Sequence, residues 1–319
     1  MIEQFKKDVD TGLSSNPKKL SSKYFYNKKG SELFVKIMHM PEYYVTRAEL
    51  DIFSNQTQDI IDSLKLKKDT YFELIELGAG DGLKTKKLLN LLVSSGFDFN
   101  YFPVDISQNA LDNLEESLSK ELPSVRIQKK QGDYFNVLES LKGSNHLKVV
   151  LFLGSNIGNM TDDVAANFMY ELGSNLNAKD RLLLGVDLIK AESVVLPAYN
   201  DKQGITRDFN LNLLSRINSE LGADFDLKQF SHRPEYSDKD GIARSFIVSD
   251  KAQEVVIKSL GKSYFFQKDE KIATEISRKY NDEIVNRIIE NTDFTIDTKL
   301  TDRNNYFSDY ILCRMENKD

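Results

Sequence analysis

Four acidic residues fall at or just beyond the ends of apolar runs in this chain, and they are its first chemical signal. Glu76 lies at the end of the run 71–77, and Asp81 sits inside the turn Gly78-Ala79-Gly80-Asp81-Gly82 that follows. Asp105 ends the run 100–105, and Asp133 follows a run over about 124–130. Glycines let the backbone turn tightly and approach a ligand closely. Leu83, Leu88 and Leu89 then recur at near-helical spacing. Strand, glycine turn and helix start place unpaired N–H groups at one spot, where a nucleotide-like ligand binds at the carboxyl edge of a parallel sheet. The dinucleotide fingerprint is G-x-G-x-x-G, whereas the spacing here is G-x-G-x-G with two carboxylates. Those charges repel a pyrophosphate and suit a ligand with an amino group and a sulfonium, so the turn favours S-adenosyl-L-methionine over NAD. A glycine turn that binds nothing is the plain alternative.

Asp105 lies 25 positions after Gly80, where an acid accepts both ribose hydroxyls. Asp133 can accept from an exocyclic amine, and Tyr134 can flank an adenine ring. Each acid alone also reads as a cap or a solvated charge. Tyr24, Tyr26, Tyr43 and Tyr44 crowd a segment that is otherwise polar. They either pack that segment onto the rest of the chain or line a pocket for a small polar ligand.

The elements that carry these residues alternate. Strands are expected at 71–77, 100–105, 124–130, 147–153 and 181–188, with helices over about 84–94, 108–120 and 162–177 between them. Such βα units imply a doubly wound parallel sheet with right-handed crossovers. Two β-like runs, 292–300 and 306–314, read as a closing hairpin. A parallel sheet ending in an antiparallel hairpin is similar to the Rossmann-like class I methyltransferase fold, an α/β architecture. One helix is expected over 47–64, and another around 33–38 ends at Pro41. Residues 190–278 break the alternation: a helix over 206–221, strands at 243–248, 254–259 and 262–267, then a helix from near Ile272. The expected division is 48–190 plus 279–319 for the sheet domain, and 1–47 plus 191–278 for a second, discontinuous α+β substrate domain over the carboxyl edge.

Bulk properties narrow the function. The 319 residues carry a net charge of −6, which argues against nucleic acid, since phosphate binding needs a basic surface. The single cysteine, Cys313, rules out an internal disulfide and a Cys-based zinc site, and reads as a buried thiol. Three scattered histidines give no metal-binding spacing, so no metal is expected. No apolar stretch approaches membrane-spanning length, and the N-terminus lacks a signal-peptide core. A cytoplasmic monomer acting on a small molecule is the expectation.

Seven further stretches join the glycine turn in one ordered pattern. They are Tyr24-Phe25-Tyr26-Asn27-x-x-Gly30-Ser31-x-Leu33-Phe34, Pro41-Glu42-Tyr43-Tyr44-x-Thr46-Arg47-x-Glu49, and Phe102-Pro103-Val104-Asp105-Ile106-Ser107. Then come Phe152-Leu153-Gly154-Ser155-x-Ile157-Gly158-Asn159 and Ala198-Tyr199-Asn200-Asp201-x-x-Gly204-x-Thr206. The last two are Phe209-Asn210-x-Asn212-x-Leu214 and Thr274-Glu275-x-Ser277-x-Lys279-Tyr280. Together they resemble the histidine-specific S-adenosylmethionine-dependent methyltransferase family, whose members make hercynine for ergothioneine biosynthesis. The resemblance implies that Tyr43, Gly78, Lys84, Asp105, Asp133 and Tyr134 contact the cofactor. It implies that Asn159 and Tyr199 hold the amino and carboxylate end of histidine, and that Tyr26 lies by the reacting amine as the catalytic residue. It implies that Glu275 and Ser277 bond the imidazole. By composition alone, 274–277 reads instead as the first turn of a helix, with Glu275 and Ser277 a capping pair. Ser155-Asn156 departs from the family pattern, which has a small residue and Thr there; little effect is expected. The activity implied is stepwise Nα-methylation of histidine to the trimethylated betaine. The alternatives are the same chemistry on tryptophan or tyrosine, a cofactor-binding regulator without turnover, and an NAD-dependent oxidoreductase.

Overall fold

The computed structural model describes residues 2–132 and 134–315. The chain opens with α1 (Ile2–Ser14), β1 (Lys18–Lys19), α2 (Lys28–His39), α3 (Tyr44–Asn55) and α4 (Thr57–Leu64). The βα alternation follows: β2 (Phe72–Leu77), α5 (Thr85–Ser94), β3 (Phe99–Asp105), α6 (Gln108–Glu121), β4 (Lys130–Gln131), α7 (Tyr134–Leu141), β5 (Leu147–Phe152), α8 (Asp162–Ser174) and β6 (Arg181–Asp187). Next come α9 (Glu192–Tyr199), α10 (Ile205–Leu221), β7 (Phe230–Ser237), β8 (Ile242–Ser249), β9 (Gln253–Ile257), β10 (Lys262–Phe266) and β11 (Lys271–Arg278). The chain closes with α11 (Asp282–Ile289), β12 (Phe294–Thr301) and β13 (Phe307–Arg314).

These elements form two compact units. The sheet unit comprises 45–189 and 278–319. Its seven strands lie in the order β12-β13-β6-β5-β2-β3-β4. Strands β2 to β6 pair in parallel, while β13 runs antiparallel to both β6 and β12. β2 and β6 are buried along their whole length, and β5 beyond its first residue, which is why they read as unbroken apolar runs. Ile75, Val104, Phe152, Leu184 and Tyr310 join the α8 and α11 side chains in one core. Ser107 caps α6 through the Ala110 N–H at 3.2 Å, and Asn281 caps α11 through the Ile284 N–H at 2.9 Å. Cys313 on β13 is a free, buried thiol.

The other unit comprises 1–44 and 190–277. Its four-stranded sheet has the order β1-β11-β8-β7, with β9 and β10 as a separate hairpin. Phe25, Phe209, Leu213, Ile217, Ile247 and Ile272 share its core. Asn27 caps α2, accepting from Gly30 N at 2.8 Å, and Gly222 ends α10 in the left-handed region.

Several elements differ from the sequence expectation, and β1, α7, α9 and α11 were not foreseen. The segment from Ile272 is strand β11, not a helix, and it pairs in parallel with β1 more than 250 residues earlier. The single helix expected over 47–64 is two, broken at Gln56. The strand expected at 124–130 shrinks to Lys130–Gln131, with an isolated bridge from Ile127 to Tyr101. Strand β7 was not foreseen, because its sequence is polar and contains Pro234.

Candidate functional site

The parallel strands of the sheet unit all end on one edge, so the loops after them meet there. The sheet order reverses between β2 and β5, the point where open α/β sheets form their ligand crevice. The backbone leaves β2 through Gly78 at φ +75°, and Gly78 N donates to Val104 O at 2.8 Å. A Cβ on Gly78 would lie 2.8 Å from the Tyr134 hydroxyl and 3.2 Å from Asn156 Nδ2. Three loops therefore converge on that peptide: the turn after β2, the head of α7 and the segment after β5. The position above Gly80 is open, with nothing within 4 Å of an added Cβ. Tyr134 is set edge-on against Phe152 and Phe168, at 5.9 and 6.5 Å between centroids. Asp105 ends β3, and its Oδ1 accepts from Ser107 N at 2.8 Å. Asn159 closes the short helical turn after β5 and is exposed. Asp133 lies outside the described residues.

The two turn carboxylates are engaged by the fold. Glu76 is buried and accepts from Thr85 Oγ1 at 2.6 Å and from the Tyr101 hydroxyl. Burial pushes its carboxyl up to about 7, against the downward pull of the Thr85 and Tyr101 hydrogen bonds. Asp81 Oδ1 accepts from Leu83 N at 3.0 Å and closes the turn. The expectation that both charges face a cation is therefore corrected: Glu76 points inward and braces the head of α5. Lys84 is ion-paired with Glu49, whose side chain is fully buried. The departure at Ser155-Asn156 falls on the cradle itself. Ser155 adopts φ 56° and accepts from Asp187 N at 3.0 Å, which aims Asn156 at Gly78.

In the other unit the expected residues sit on three elements. Glu275 and Ser277 are two apart on β11, so they share one face. That spacing is roughly 6–7 Å along a strand, a span suited to bonding a small ring at two points. Thr274 points the opposite way, and its Oγ1 donates at 2.9 Å to either Asn210 Oδ1 or Ser245 O, both within reach. The pair is thus a strand feature, and the helix-cap reading is withdrawn. Tyr26 packs edge-on against Phe34 and Phe209 at 5.5 and 5.7 Å, and Phe34 meets Tyr43 at 6.5 Å. Tyr199 ends α9, half-buried. Asn212 Nδ2 donates to Asn27 Oδ1 at 2.9 Å, holding the segment that carries Tyr26. Asp201 accepts from Ile205 N and Thr206 N at 2.9 and 2.8 Å and so starts α10. Several of the polar residues in the sequence pattern are thus braces rather than ligands. Among the described residues no cluster of His, Cys, Asp and Glu suits a metal.

The model of the histidine-specific, SAM-dependent methyltransferases matches residues 5–314. The chain belongs to that family. It is therefore an S-adenosylmethionine-dependent methyltransferase. It is 35% identical over 283 residues to a histidine N-alpha-methyltransferase of Mycolicibacterium smegmatis, covering 89% of this chain and 86% of that one. The protein of that name in Mycobacterium tuberculosis is 35% identical over 281 residues, covering 88% and 85%. Ergothioneine biosynthesis protein 1 of Schizosaccharomyces pombe is 30% identical over 305 residues, covering 92% of this chain and 39% of that longer one. Among solved structures, the mitomycin 7-O-methyltransferase MmcR has a TM-score of 0.51 at 13% identity, covering 98% of this chain and 66% of that one, a likeness of fold alone.

Two residues of this methyltransferase escaped the sequence reading. Glu49 lay inside a quoted stretch without a role. Asp309 is an acid within the buried run of β13, which was signal enough to ask what it faces.

Proposed function

We propose that this chain methylates the α-nitrogen of L-histidine in three steps, giving the trimethylated betaine hercynine of ergothioneine biosynthesis. The observation that carries the reading is 35% identity over nearly nine-tenths of the chain to two proteins named for that reaction. The placement of Glu275 and Ser277 on one strand face supports it.

The residues present suit S-adenosyl-L-methionine. Gly78 brings its peptide close against Tyr134 and Asn156, and the space above Gly80 is open. Asp105 would accept the ribose hydroxyls, Asp133 the adenine amine, and Tyr134 would stack on the ring. Lys84 would pair with the donor's carboxylate, and Tyr43 would contact it. When bound, the donor supplies a methyl group on a sulfonium, which the amine takes as the S–C bond breaks.

Asn159 and Tyr199 would hold the substrate's α-amino and carboxylate groups. Glu275 would accept from one imidazole nitrogen and Ser277 would bond the other. The nitrogen must shed a proton before each attack, and a cationic neighbour lowers its pKa. Tyr26, 44% exposed, would pass that proton toward water. Fixing amine and donor in line supplies most of the acceleration, on the order of 7–11 kcal/mol in the best intramolecular models. The donor residues belong to the unit 45–189 plus 278–319 except for Tyr43, and the substrate residues to the unit 1–44 plus 190–277 except for Asn159. The reading takes the enzyme as a cytoplasmic monomer without nucleic-acid partners. No described helix is long and apolar enough to cross a membrane.

The test is incubation with S-adenosyl-L-methionine and all protein amino acids, followed by mass spectrometry. Histidine is expected to gain up to three methyl increments. Gain on tryptophan or tyrosine instead would move the substrate, and no gain on any would replace enzyme by regulator.

A further inference from the structure

Within the sheet unit, three ionisable side chains meet near the reversal between β2 and β5. Glu49, from α3, is wholly buried. Its two oxygens accept from Gly154 N at 2.9 and 3.0 Å, and Oε2 also takes the Lys84 ammonium. Lys84 stands at the head of α5, in the loop after β2, and Gly154 opens the loop after β5. A single carboxylate therefore ties the two loops that flank the crevice. Lys84 Nζ lies 3.6 Å from where a Cβ on Gly154 would stand, so the ammonium rests over that loop.

Asp309 completes the cluster. It sits opposite Gly185 in the β13–β6 register, is fully buried, and neither of its oxygens has a hydrogen-bond partner. A Cβ on Gly185 would overlap Glu49 Oε1 and lie 3.0 Å from Asp309 Oδ1, so only glycine leaves room for both carboxyls. Burial and the negative Glu49 push the Asp309 carboxyl well above the usual range. Lys84 faces Glu49, Glu76 and Asp309; burial pulls its pKa down, yet the charge and hydrogen bond of Glu49 leave it above the free-lysine value. The cluster thus sets Glu49 directly against an ammonium that is still partly open, at 19% side-chain exposure.

We propose that Glu49 is a positioning residue for the methyl donor, acting through Lys84 and the Gly154 peptide and not by touching the donor. The proposal rests on the reading that Lys84 pairs with the donor's carboxylate. The ammonium has three N–H groups. Glu49 fixes one, which aims the others, and it keeps the group charged in a place where burial disfavours charge.

A double-mutant cycle on the full chain tests this, with donor Kd read by calorimetry on protein without amino acid. Lys84→Met should weaken S-adenosyl-L-methionine by at least about tenfold, the worth of a hydrogen bond to a charged group. Glu49→Gln keeps the shape and an acceptor for Gly154 but removes the charge, and should weaken donor binding about tenfold. The double variant should bind no worse than Lys84→Met alone, because Glu49 acts through that side chain. Losses that multiply, or no loss from Glu49→Gln, would overturn the inference. An unchanged Kd in Lys84→Met would instead sink the role of Lys84 itself. Should Glu49→Gln fail to melt cooperatively, the wild-type chain still decides. Its ¹⁵N-labelled Lys84 ammonium should titrate above free lysine, and a value at or below free lysine would contradict the pairing.

Discussion

Glu76→Gln exchanges a buried carboxyl under the glycine turn for an amide of the same shape. The amide keeps both contacts: its oxygen accepts from Thr85, and its N–H donates to the Tyr101 hydroxyl oxygen. What it loses is titration. Burial raises the Glu76 carboxyl from 4.5 to about 7, so between those values the folded chain holds a proton that the unfolded chain has released. Unfolding free energy then falls as pH rises, and the full difference is reached above about pH 7. A shift of that size is worth about 3 kcal/mol at 1.36 kcal/mol per unit. The variant pays nothing of this kind. Its stability relative to wild type should rise by about 3 kcal/mol between roughly pH 4.5 and 8.5. Denaturant titrations of both chains, read by amide exchange on β2 and β3 so that the sheet unit alone is reported, give that difference. Equal pH slopes in the two chains would refute the picture of a neutral, buried carboxyl bracing the head of α5.

Three other outcomes are expected. His232 is mostly buried with an unpartnered Nε2, and burial lowers it from 6.5 to about 4. Its neutral form stabilises the fold above about pH 6.5, and that support is lost as pH falls through 4. His232→Phe should therefore lose less stability than wild type on acidification from pH 7 to 4, by up to about 3 kcal/mol in denaturant titrations. Thr274→Val removes a buried hydroxyl that reaches both Asn210 and Ser245, so it should cost about 1–3 kcal/mol. The same variant should raise the KM for histidine with little change in donor Kd, because β11 carries Glu275 and Ser277. Gly78→Ala puts a methyl against Tyr134 at a positive φ, so its donor Kd should rise at least about tenfold in calorimetry while the thermal midpoint moves by only a few degrees.

The sheet was legible because parallel, doubly covered strands are apolar end to end. β2, β5 and β6 announced themselves, and the glycine turn between β2 and α5 fixed where the edge lay. β11 was misread because Thr274 occupies a buried position, which hides the period of two, and Lys, Ala, Glu and Ile suit a helix equally. Its partner β1 is a two-residue strand at the other end of the sequence, and local pattern carries no such pairing. The same limit explains the carboxylates. Glu76 and Asp81 were judged by proximity to the turn, but Thr85, Tyr101 and Leu83 N decide which way they point. Glu49 and Asp309 gain meaning only when β13 comes to lie beside β6 and Gly185 leaves the gap between them.

The proposed recognition of the imidazole by Glu275 and Ser277 is measured most directly by substrate selectivity. The ratio of kcat/KM for histidine to that for tryptophan should be on the order of 10⁴ in the wild-type chain, because polar partners matched to an imidazole discriminate against an indole that cannot make both bonds. Glu275→Ala should collapse that ratio at least about a hundredfold while donor Kd holds. A wild-type chain that prefers tryptophan, or a Glu275→Ala chain that keeps the wild-type ratio, would contradict the assignment.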